Sequence, residues 1–245
     1  WSIWGNQVTA WDGAAYDALP LPHEQWGIRT IAALNLQPNE TLLDAGCGTG
    51  RDAQLALEQL SDGALICVDQ SSTMLDQCRS RFGQEPRVCI IEGNLDQVLP
   101  VEDESVDAIM SVAALHWLAD HNNVWRHFYT ALKPGGRIAT DCGGFGNLAK
   151  TLALVPQINE EIKFPNWYYA NVSSTEQLLK EAGFVDIQVS LRPHPTPLPD
   201  KKTLATYLQT LVFREWDANQ ITNMSDLLTD NTLDYVRLEV RANKA

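Results

Sequence analysis

The chain has 245 residues, and its 18 basic and 31 acidic side chains give a formal charge of −13 at pH 7. Surfaces that bind nucleic acid or anionic membranes need many basic groups facing phosphates, so neither is expected as a partner. With 44% hydrophobic and 20% charged residues, the composition is that of one globular domain and excludes a disordered chain.

Cysteines occur at positions 47, 67, 78, 89 and 142, and none forms a CxxC pair. The first residues do not resemble a signal peptide, and no apolar run approaches the ~18 residues of a membrane helix. We therefore expect reduced core thiols in a cytoplasmic protein. No two histidines or cysteines are spaced as metal ligands along the chain, so no metal site is predicted.

Short apolar runs alternate with helical stretches over residues 41–142. Apolar runs that end in turns predict buried strands, and the helices between them favour parallel pairing with right-handed crossovers. The pattern therefore predicts a doubly wound α/β sheet. The predicted strands lie at residues 41–45, 65–69, 87–91, 106–112 and 137–141.

The alternation changes after residue 142, where longer segments separate the remaining elements. A helical pattern closed by glycine predicts a helix, and closely spaced prolines indicate a stiff extended connector. The last segment alternates apolar and polar residues, which is typical of an antiparallel strand near a sheet edge with one face in water. These elements are a helix at 175–182, a strand at 184–191, the connector at 193–199, a helix at 201–215 and the last strand at 233–240.

Three glycines directly follow the first predicted strand, at positions 46, 48 and 50. Glycine lets the backbone turn tightly and approach a ligand without a Cβ in between. In an open parallel sheet, ligands bind at the carboxyl ends of the strands, and Asp69 ends the second strand. A carboxylate there can accept hydrogen bonds from both ribose hydroxyls, so the pattern predicts a nucleoside-containing ligand.

A dinucleotide is one interpretation of this loop. The GxGxxG fingerprint of dinucleotide sites needs glycine or alanine at position 51, where this chain has Arg51. A side chain there works against the close approach of the helix to a pyrophosphate. An NAD(P)-dependent oxidoreductase is therefore the less favoured alternative.

The segment Asp44–Gly50 resembles the first motif of class I S-adenosyl-L-methionine (SAM)-dependent methyltransferases, which is an acidic residue followed two positions later by GxGxG. Further segments resemble later motifs of that family in the same order. They are Asp69–Leu75, Glu92–Leu95, Leu115–Trp117, Leu132–Arg137 and Glu181–Phe184. The Leu-His-Trp segment and the layout after strand 5 resemble the small-molecule branch that includes trans-aconitate and juvenile hormone acid methyltransferases.

The resemblance implies a Rossmann-like sheet of seven strands, mostly parallel with the last strand antiparallel, and helical lid insertions. It also implies SAM as the cofactor. Asn94 stands where the family often has Asp, and it is either an adenine contact or a turn residue. The implied cofactor-binding residues are Asp44, Gly46, Cys47, Gly48, Gly50, Asp69, Gln70, Met74, Asn94, Leu95 and Ala113.

The resemblance places the methyl acceptor beyond the end of strand 4, next to His116. This side chain could orient or deprotonate an acceptor, or it could only pack in the wall. Tyr16 belongs to a segment that resembles the family's N-terminal lid helix. We predict His116 and Tyr16 as catalytic residues, and Trp11, Trp26, Arg29, Trp117, Trp167 and Tyr168 as acceptor-binding residues.

Two aromatic-rich groups lie outside the strand pattern, one from Trp1 to Trp26 and the other from Phe164 to Tyr169. Aromatic faces attract a sulfonium and bury an apolar acceptor, and plain core packing is the alternative. We expect one domain over 1–245. It comprises an N-terminal lid at 1–37, a SAM-binding core at 38–142, substrate-covering insertions at 143–172 and 193–232, and the remaining sheet at 173–192 and 233–245.

The predicted function is SAM-dependent methyl transfer to a small-molecule metabolite by in-line displacement, at oxygen, nitrogen or carbon. The position after strand 4 lacks the (Asn/Asp)-Pro-Pro-aromatic motif of amino-methylating nucleic-acid enzymes. A carboxylate acceptor would need no base but would need a cationic partner, for which Arg29 and Arg51 are candidates. The alternative is a protein of the same fold that acts as a cyclase, decarboxylase or binding module. The residues leave the oligomeric state open.

Overall fold

The computed structural model describes residues 11–19, 24–158 and 167–245. Trp1, Trp4 and Phe164, which belong to the two aromatic-rich groups, lie outside these ranges. Within them, seven strands form one sheet in the order β3-β2-β1-β4-β5-β7-β6. The strands are β1 (Thr41–Ala45), β2 (Ala64–Asp69), β3 (Val88–Glu92), β4 (Val106–Val112), β5 (Leu132–Gly143), β6 (Val185–Pro197) and β7 (Thr232–Asn243).

Helices pack on both faces of the sheet because successive strand residues point to opposite sides. Leu43 of β1 joins a core with the helices α5 and α7, whereas its neighbour Leu42 joins a second core with α2, α3 and α4. The helices are α1 (Gly13–Ala18), α2 (Glu24–Leu34), α3 (Arg51–Leu57), α4 (Ser72–Phe82), α5 (His121–Ala131), α6 (Ala149–Ala153), α7 (Val172–Ala182), α8 (Lys201–Tyr207) and α9 (Ala218–Leu227). In the described ranges, no helix is long and apolar enough to cross a bilayer.

The pairing of the strands confirms the predicted sheet. Strand β1 pairs in parallel with β2 and β4, and β4 pairs in parallel with β5. Strand β7 runs antiparallel to both β5 and β6. Strand β7 therefore lies inside the sheet, beside the edge strand β6. The alternating pattern predicted this position near the edge.

The prediction that one face of β7 is in water is correct only toward the end of the strand, where Arg241 is exposed. Tyr235 and Arg237, on the face expected to be wet, are buried. The Arg237 guanidinium lies 3.6 Å from the centre of the Trp26 ring, and the Tyr235 hydroxyl is 3.2 Å from the Tyr207 hydroxyl on α8. Polar side chains can be buried when they have such partners. An alternating sequence pattern therefore shows which residues are polar, but it does not show which of them contact water.

The predicted connector at 193–199 is largely a continuation of β6, which extends to Pro197. Pro193, Pro195 and Pro197 pair in register with β7. Because they are two residues apart, their missing N–H groups fall on the same side of an edge strand, where no partner strand needs them. The boundary between sheet and insertion therefore falls after Pro197 and not at residue 193.

Two further expectations need correction. The predicted helix at 201–215 ends as an α-helix at Tyr207, and a π-helical turn follows at Leu208–Val212. All five cysteines are free, and Cys89 is exposed on edge strand β3, whereas the other four are buried as expected. An apolar run on an edge strand still has residues that face water.

Gly183 ends α7 in the left-handed region, at φ = +104°, and a Cβ there would lie 2.9 Å from the Tyr129 ring. Gly135 has φ = +78° with open space around the Cβ position. Both substitutions to alanine carry left-handed strain of about 1–2 kcal/mol. We expect Gly183→Ala to lower the free energy of unfolding by about 1–2 kcal/mol more than Gly135→Ala, because only it also meets a packed ring. Urea denaturation measures the free energy of unfolding of both variants. Equal losses of stability would contradict a rigid contact between residue 183 and the Tyr129 ring.

Candidate functional site

A cavity of about 740 Å³ lies at the carboxyl ends of β1, β2 and β4. Its size is in the range of small-molecule sites, ~300–1,000 Å³. Most of the predicted site residues line it. They are Trp11, Tyr16, Trp26, Asp44, Gly46, Cys47, Gly48, Asp69, Gln70, Met74, Leu95, Ala113, His116, Trp117 and Trp167. We call the part around Asp44, Gly48 and Asp69 the cofactor side, and the part around Trp117, Trp167 and Arg237 the acceptor side.

Two residues predicted to bind the cofactor do not line the cavity. Gly50 precedes α3 and faces the Cys78 thiol and the Phe82 ring, where a Cβ would lie 2.9 Å from each. Asn94 accepts a hydrogen bond from the backbone N–H of Asp96 at 2.9 Å, as a turn residue does. The contacts of Asn94 are those of a turn residue. Gly50 leaves the space in which Cys78 and Phe82 of helix α4 pack beside the loop.

Two residues predicted to bind the acceptor also lie elsewhere. Arg29 donates to Asp141 at 3.3 Å and contacts Glu239 at 3.5 Å, and it does not line the cavity. The Tyr168 side chain is exposed, with its ring centre 4.7 Å from that of His121. The structure therefore does not bring these two residues to the cavity, because a residue's place along the chain does not give the direction of its side chain.

The glycine loop shapes the cofactor side. The Gly46 N–H donates to the Val68 carbonyl at 2.8 Å, and a Cβ at Gly46 would lie 2.3 Å from that of Ala114. The N–H of Gly48 donates to Asp69 Oδ2 at 2.9 Å, and no atom lies within 4 Å of its Cβ position. Positive φ at both glycines keeps this backbone open to a ligand.

Asp69 is held in place by the backbone at the end of β2. Its Oδ2 accepts from Gly48, and its Oδ1 accepts from the N–H of Ser71 at 2.8 Å. Burial nevertheless raises the pKa of the Asp69 carboxyl above its ordinary value. Each oxygen keeps a further lone pair, so the carboxylate can accept ribose hydroxyls.

Two more carboxyls line the same side of the cavity. Burial raises the pKa of Asp44 well above its ordinary value, and Asp44 Oδ2 has no hydrogen-bond partner. Burial also raises the pKa of Asp52 to about 7. Asp52 was not predicted; its place in the first turn of α3, directly after the glycine loop, was the available signal. Buried carboxyls with raised pKa values and an unpartnered oxygen favour a cationic ligand.

Aromatic rings form the wall of the acceptor side. The Trp117 ring centre is 5.3 Å from that of Trp11 and 5.8 Å from that of Trp167, both edge to face. Tyr16 packs against Trp11 with 6.0 Å between ring centres. Burial raises the pKa of Tyr16, so its hydroxyl stays protonated and can donate a hydrogen bond.

His116 is half-buried, on the 3₁₀ turn Leu115–Trp117 after β4. Its Nδ1 is 3.3 Å from the backbone nitrogen of Gly143 and accepts that N–H, which assigns the ring proton to Nε2. Burial, then the charge of Arg237, hold the pKa of His116 well below its usual range. The imidazole is therefore neutral and can donate from Nε2, but its accepting nitrogen is already used.

Arg237 is the functional candidate that sequence reasoning missed. Its Nε donates to Asp141 Oδ1 at 2.6 Å and its Nη2 to the Asp141 carbonyl at 3.1 Å. Among the described residues, Nη1 has no hydrogen-bond partner. The only signal was a basic residue in an alternating strand, which in most proteins faces water. The structure instead brings this cation into the cavity wall.

Comparison with known proteins gives three findings. Residues 43–140 match a family model described as a methyltransferase domain. The trans-aconitate 2-methyltransferase of Acidovorax sp. (strain JS42) is 30% identical over 129 residues, 53% of this chain and 48% of that protein. That of Escherichia coli O1:K1 / APEC is 24% identical over 213 residues, 85% of this chain and 81% of that protein. The structure of Haemonchus contortus phosphoethanolamine N-methyltransferase 2 in complex with S-adenosyl-L-methionine has a TM-score of 0.63 and 21% identity, and the match covers 90% of this chain and 52% of that chain.

The matched part of the chain spans about half the length of the Acidovorax relatives. The structural likeness shows a shared fold, and the domain match falls on the segment with the glycine loop and Asp69. Residues 43–140 are therefore a methyltransferase domain, and the chain is similar to methyltransferases over most of its length. The family, the sheet and the cofactor predicted from the sequence are thereby confirmed.

Replacing Asp69 tests the cofactor side. We expect Asp69→Ala to weaken SAM binding by about 1–3 kcal/mol, because charge-assisted hydrogen bonds to the ligand are lost. Asp96→Ala removes an exposed carboxylate that does not line the cavity, and it should leave the affinity unchanged. Calorimetric titration measures both variants. An unchanged affinity in a folded Asp69→Ala protein would exclude Asp69 from the binding site.

The pKa of Asp52, near 7, predicts a pH dependence of binding. A cationic ligand favours ionised Asp52, so protonation as the pH falls through 7 should weaken SAM binding. Between pH 7.5 and pH 6 we expect a loss of about five- to tenfold, since each pH unit below the pKa gives up to tenfold. In Asp52→Asn the affinity should be weaker at pH 7.5 and nearly independent of pH. An equal pH dependence in that variant would assign the titration to another group.

Proposed function

We propose that this chain transfers the methyl group of SAM to a carboxylate oxygen of a small organic acid. The observation that carries the proposal is Arg237, a buried cation in the acceptor-side wall with Nη1 free of hydrogen bonds to the described residues. A guanidinium binds a carboxylate through directed, charge-assisted hydrogen bonds. Of the two cations suggested by the sequence, Arg29 does not line the cavity. Arg51 does line it, but all three of its guanidinium nitrogens donate to groups of the chain itself.

The cofactor side fits SAM. Bound SAM supplies a methyl group that the neighbouring sulfonium has already activated. Asp69 would accept the ribose hydroxyls, and Gly46 and Gly48 leave room for the ligand beside the loop. The unpartnered Oδ2 of Asp44 would accept a hydrogen bond from the ammonium group. Two cationic groups on the ligand match the buried carboxyls of this side.

The acceptor side favours an acceptor that needs no proton removal. His116 uses its accepting nitrogen for Gly143, and burial keeps the Tyr16 hydroxyl protonated. Neither is a ready general base. A carboxylate already carries the electron pair that attacks the methyl group. The residues then have to bind and orient the acid and exclude water, which are the contributions that proximity effects require.

The walls suit an acid with a short apolar body. Rings of Trp11, Trp117 and Trp167 cover the space next to Arg237. The cavity is also lined from the segments expected to cover the substrate, within 1–37, 143–172 and 193–232. We therefore assign these segments to covering the acceptor next to Trp117 and Arg237, and we assign the cofactor side to the segment 38–142.

The comparisons and the charge support a small-molecule acceptor. Both relatives named trans-aconitate 2-methyltransferase act on a small organic acid. A net charge of −13 disfavours nucleic acid as the substrate. Free cysteine thiols fit a reducing compartment, and we infer a cytoplasmic location.

Turnover with matched acceptor pairs tests the proposal. Trans-aconitate and a panel of other small organic acids, each paired with its neutral amide, are incubated with SAM, and S-adenosylhomocysteine formation is measured. We expect turnover of at least one acid and none of its amide, because only the carboxylate pairs with Arg237 and carries the attacking oxygen. Turnover of amines or phenols but of no acid would contradict the proposal. SAM binding without any turnover would favour a protein of this fold that does not transfer methyl groups.

Arg237→Lys tests the role of the guanidinium and keeps a cation beside Asp141. We expect kcat/KM for the acid to fall about 10- to 100-fold, because the fixed Nη1 donor is lost. The Kd for SAM should change by less than about twofold, since Arg237 pairs with Asp141 and with none of the carboxyls assigned to the cofactor. Arg192→Lys alters an exposed pair with Glu239 and should have the kinetics of the unmodified protein. Equal kinetics in both variants would remove Arg237 from acceptor binding.

A further inference from the structure

Three cysteine side chains converge behind the glycine loop, and only one of them, Cys47, lines the cavity. Cys47 belongs to the loop, Cys67 to β2 and Cys78 to α4, and all three are buried. Their Sγ atoms lie within 4.8 Å of one another, and none forms a disulfide. We propose that this thiol cluster, Cys47, Cys67 and Cys78, is a three-sulfur site for a soft, thiophilic cation of the Zn²⁺, Cd²⁺ and Cu⁺ class.

The distances suit a common ion. A Zn–S bond is about 2.3 Å, so two sulfur ligands of a tetrahedral zinc ion stand about 3.8 Å apart. The cluster is within about 1 Å of that spacing, which small side-chain rotations can supply. The backbone that carries the thiols is already fixed, since the Cys47 N–H donates to the carbonyl of Val68 at 3.0 Å. No element therefore has to move to bring the ligands together.

The third glycine of the loop borders this cluster instead of the cofactor. A Cβ at Gly50 would lie 2.9 Å from Cys78 Sγ, so glycine leaves the space that this thiol occupies. Gly50 does not line the cavity. The loop thus presents Gly46 and Gly48 to the cofactor side and Gly50 to the thiol cluster.

The donor set selects the class of ion. Among the described residues, no histidine nitrogen or carboxylate oxygen joins the three sulfurs. Thiolate ligands favour Cu⁺, Zn²⁺ and Cd²⁺, whereas Mg²⁺ and Ca²⁺ require oxygen ligands. Cys47 also lines the cavity, so an ion can enter from that side. A water or another ligand could take the remaining coordination position there.

The sequence predicted no metal site, because the cysteines at positions 47, 67 and 78 are 20 and 11 residues apart. Metal-binding patterns are recognised by short spacings within one hairpin or loop. Here the parallel pairing of β1 with β2 places Cys67 beside the loop, and the packing of α4 adds Cys78. The site is assembled by the fold and has no local signature.

Titration of the full chain with Cd²⁺ alone tests the proposal independently of methyl transfer. The protein is kept reduced with a phosphine, and thiolate-to-cadmium charge-transfer absorption is followed in the ultraviolet. We expect one high-affinity Cd²⁺ per chain, and X-ray absorption should give three sulfur ligands per ion. Cys47→Ala, Cys67→Ala and Cys78→Ala should each weaken binding at least tenfold, because each removes one of three ligands.

Cys89→Ala and Cys142→Ala are the matched controls, since one removes an exposed thiol and the other a buried thiol outside the cluster. Both should titrate like the unmodified chain. Circular dichroism confirms that each variant is folded. The absence of a charge-transfer band in the unmodified chain would overturn the proposal, and so would fewer than three sulfurs per ion or a band that depends on Cys89.

Discussion

The ion pair between Asp141 on β5 and Arg237 on β7 is the interaction on which the antiparallel half of the sheet depends. Both side chains are only 2% exposed, and the Nε–Oδ1 distance is 2.6 Å. Removing a charge from water costs several kcal/mol, so these two can be buried only when they are paired and hydrogen-bonded. Arg29 on α2 binds the other oxygen of Asp141, and the Trp26 ring covers the guanidinium. The same pair fixes Arg237 in the cavity wall, where we propose that it binds the acceptor.

The cofactor side has the opposite electrostatic character. Asp44, Asp52 and Asp69 are carboxyls whose pKa values burial raises, and a protein of net charge −13 supplies few cations to offset them. A cationic ligand relieves that imbalance, and SAM carries two positive groups, a sulfonium and an ammonium, that can pair with these carboxyls. In the proposed reaction, one cavity joins an anionic side for the donor to a cationic and aromatic side for the acceptor. This division orients two ligands with respect to each other before any chemistry occurs.

Much of the cofactor half could be predicted from the sequence. Strands β1 to β5 are short apolar runs, and the glycine loop and Asp69 follow strand ends, so local patterns place them at one edge of the sheet. The acceptor half was less predictable. The same local pattern put Arg29 and Tyr168 at the site and Arg237 in water, because residue type and spacing do not give side-chain direction. Asn94 and Gly50 were assigned by motif position, yet the backbone turns them toward Asp96 and Cys78.

The sequence by itself determined the α/β class, the glycine loop, the acidic strand end and the family, because each depends on residues close together along the chain. Only the tertiary structure decided which polar groups are buried and paired. Asp141 and Arg237 are 96 residues apart, and they meet because β7 lies between β5 and β6 in one particular register. The thiol cluster likewise needs β2 and α4 to pack beside the loop. Local patterns set the elements, whereas contacts between distant residues depend on strand order and register, which no short stretch of sequence encodes.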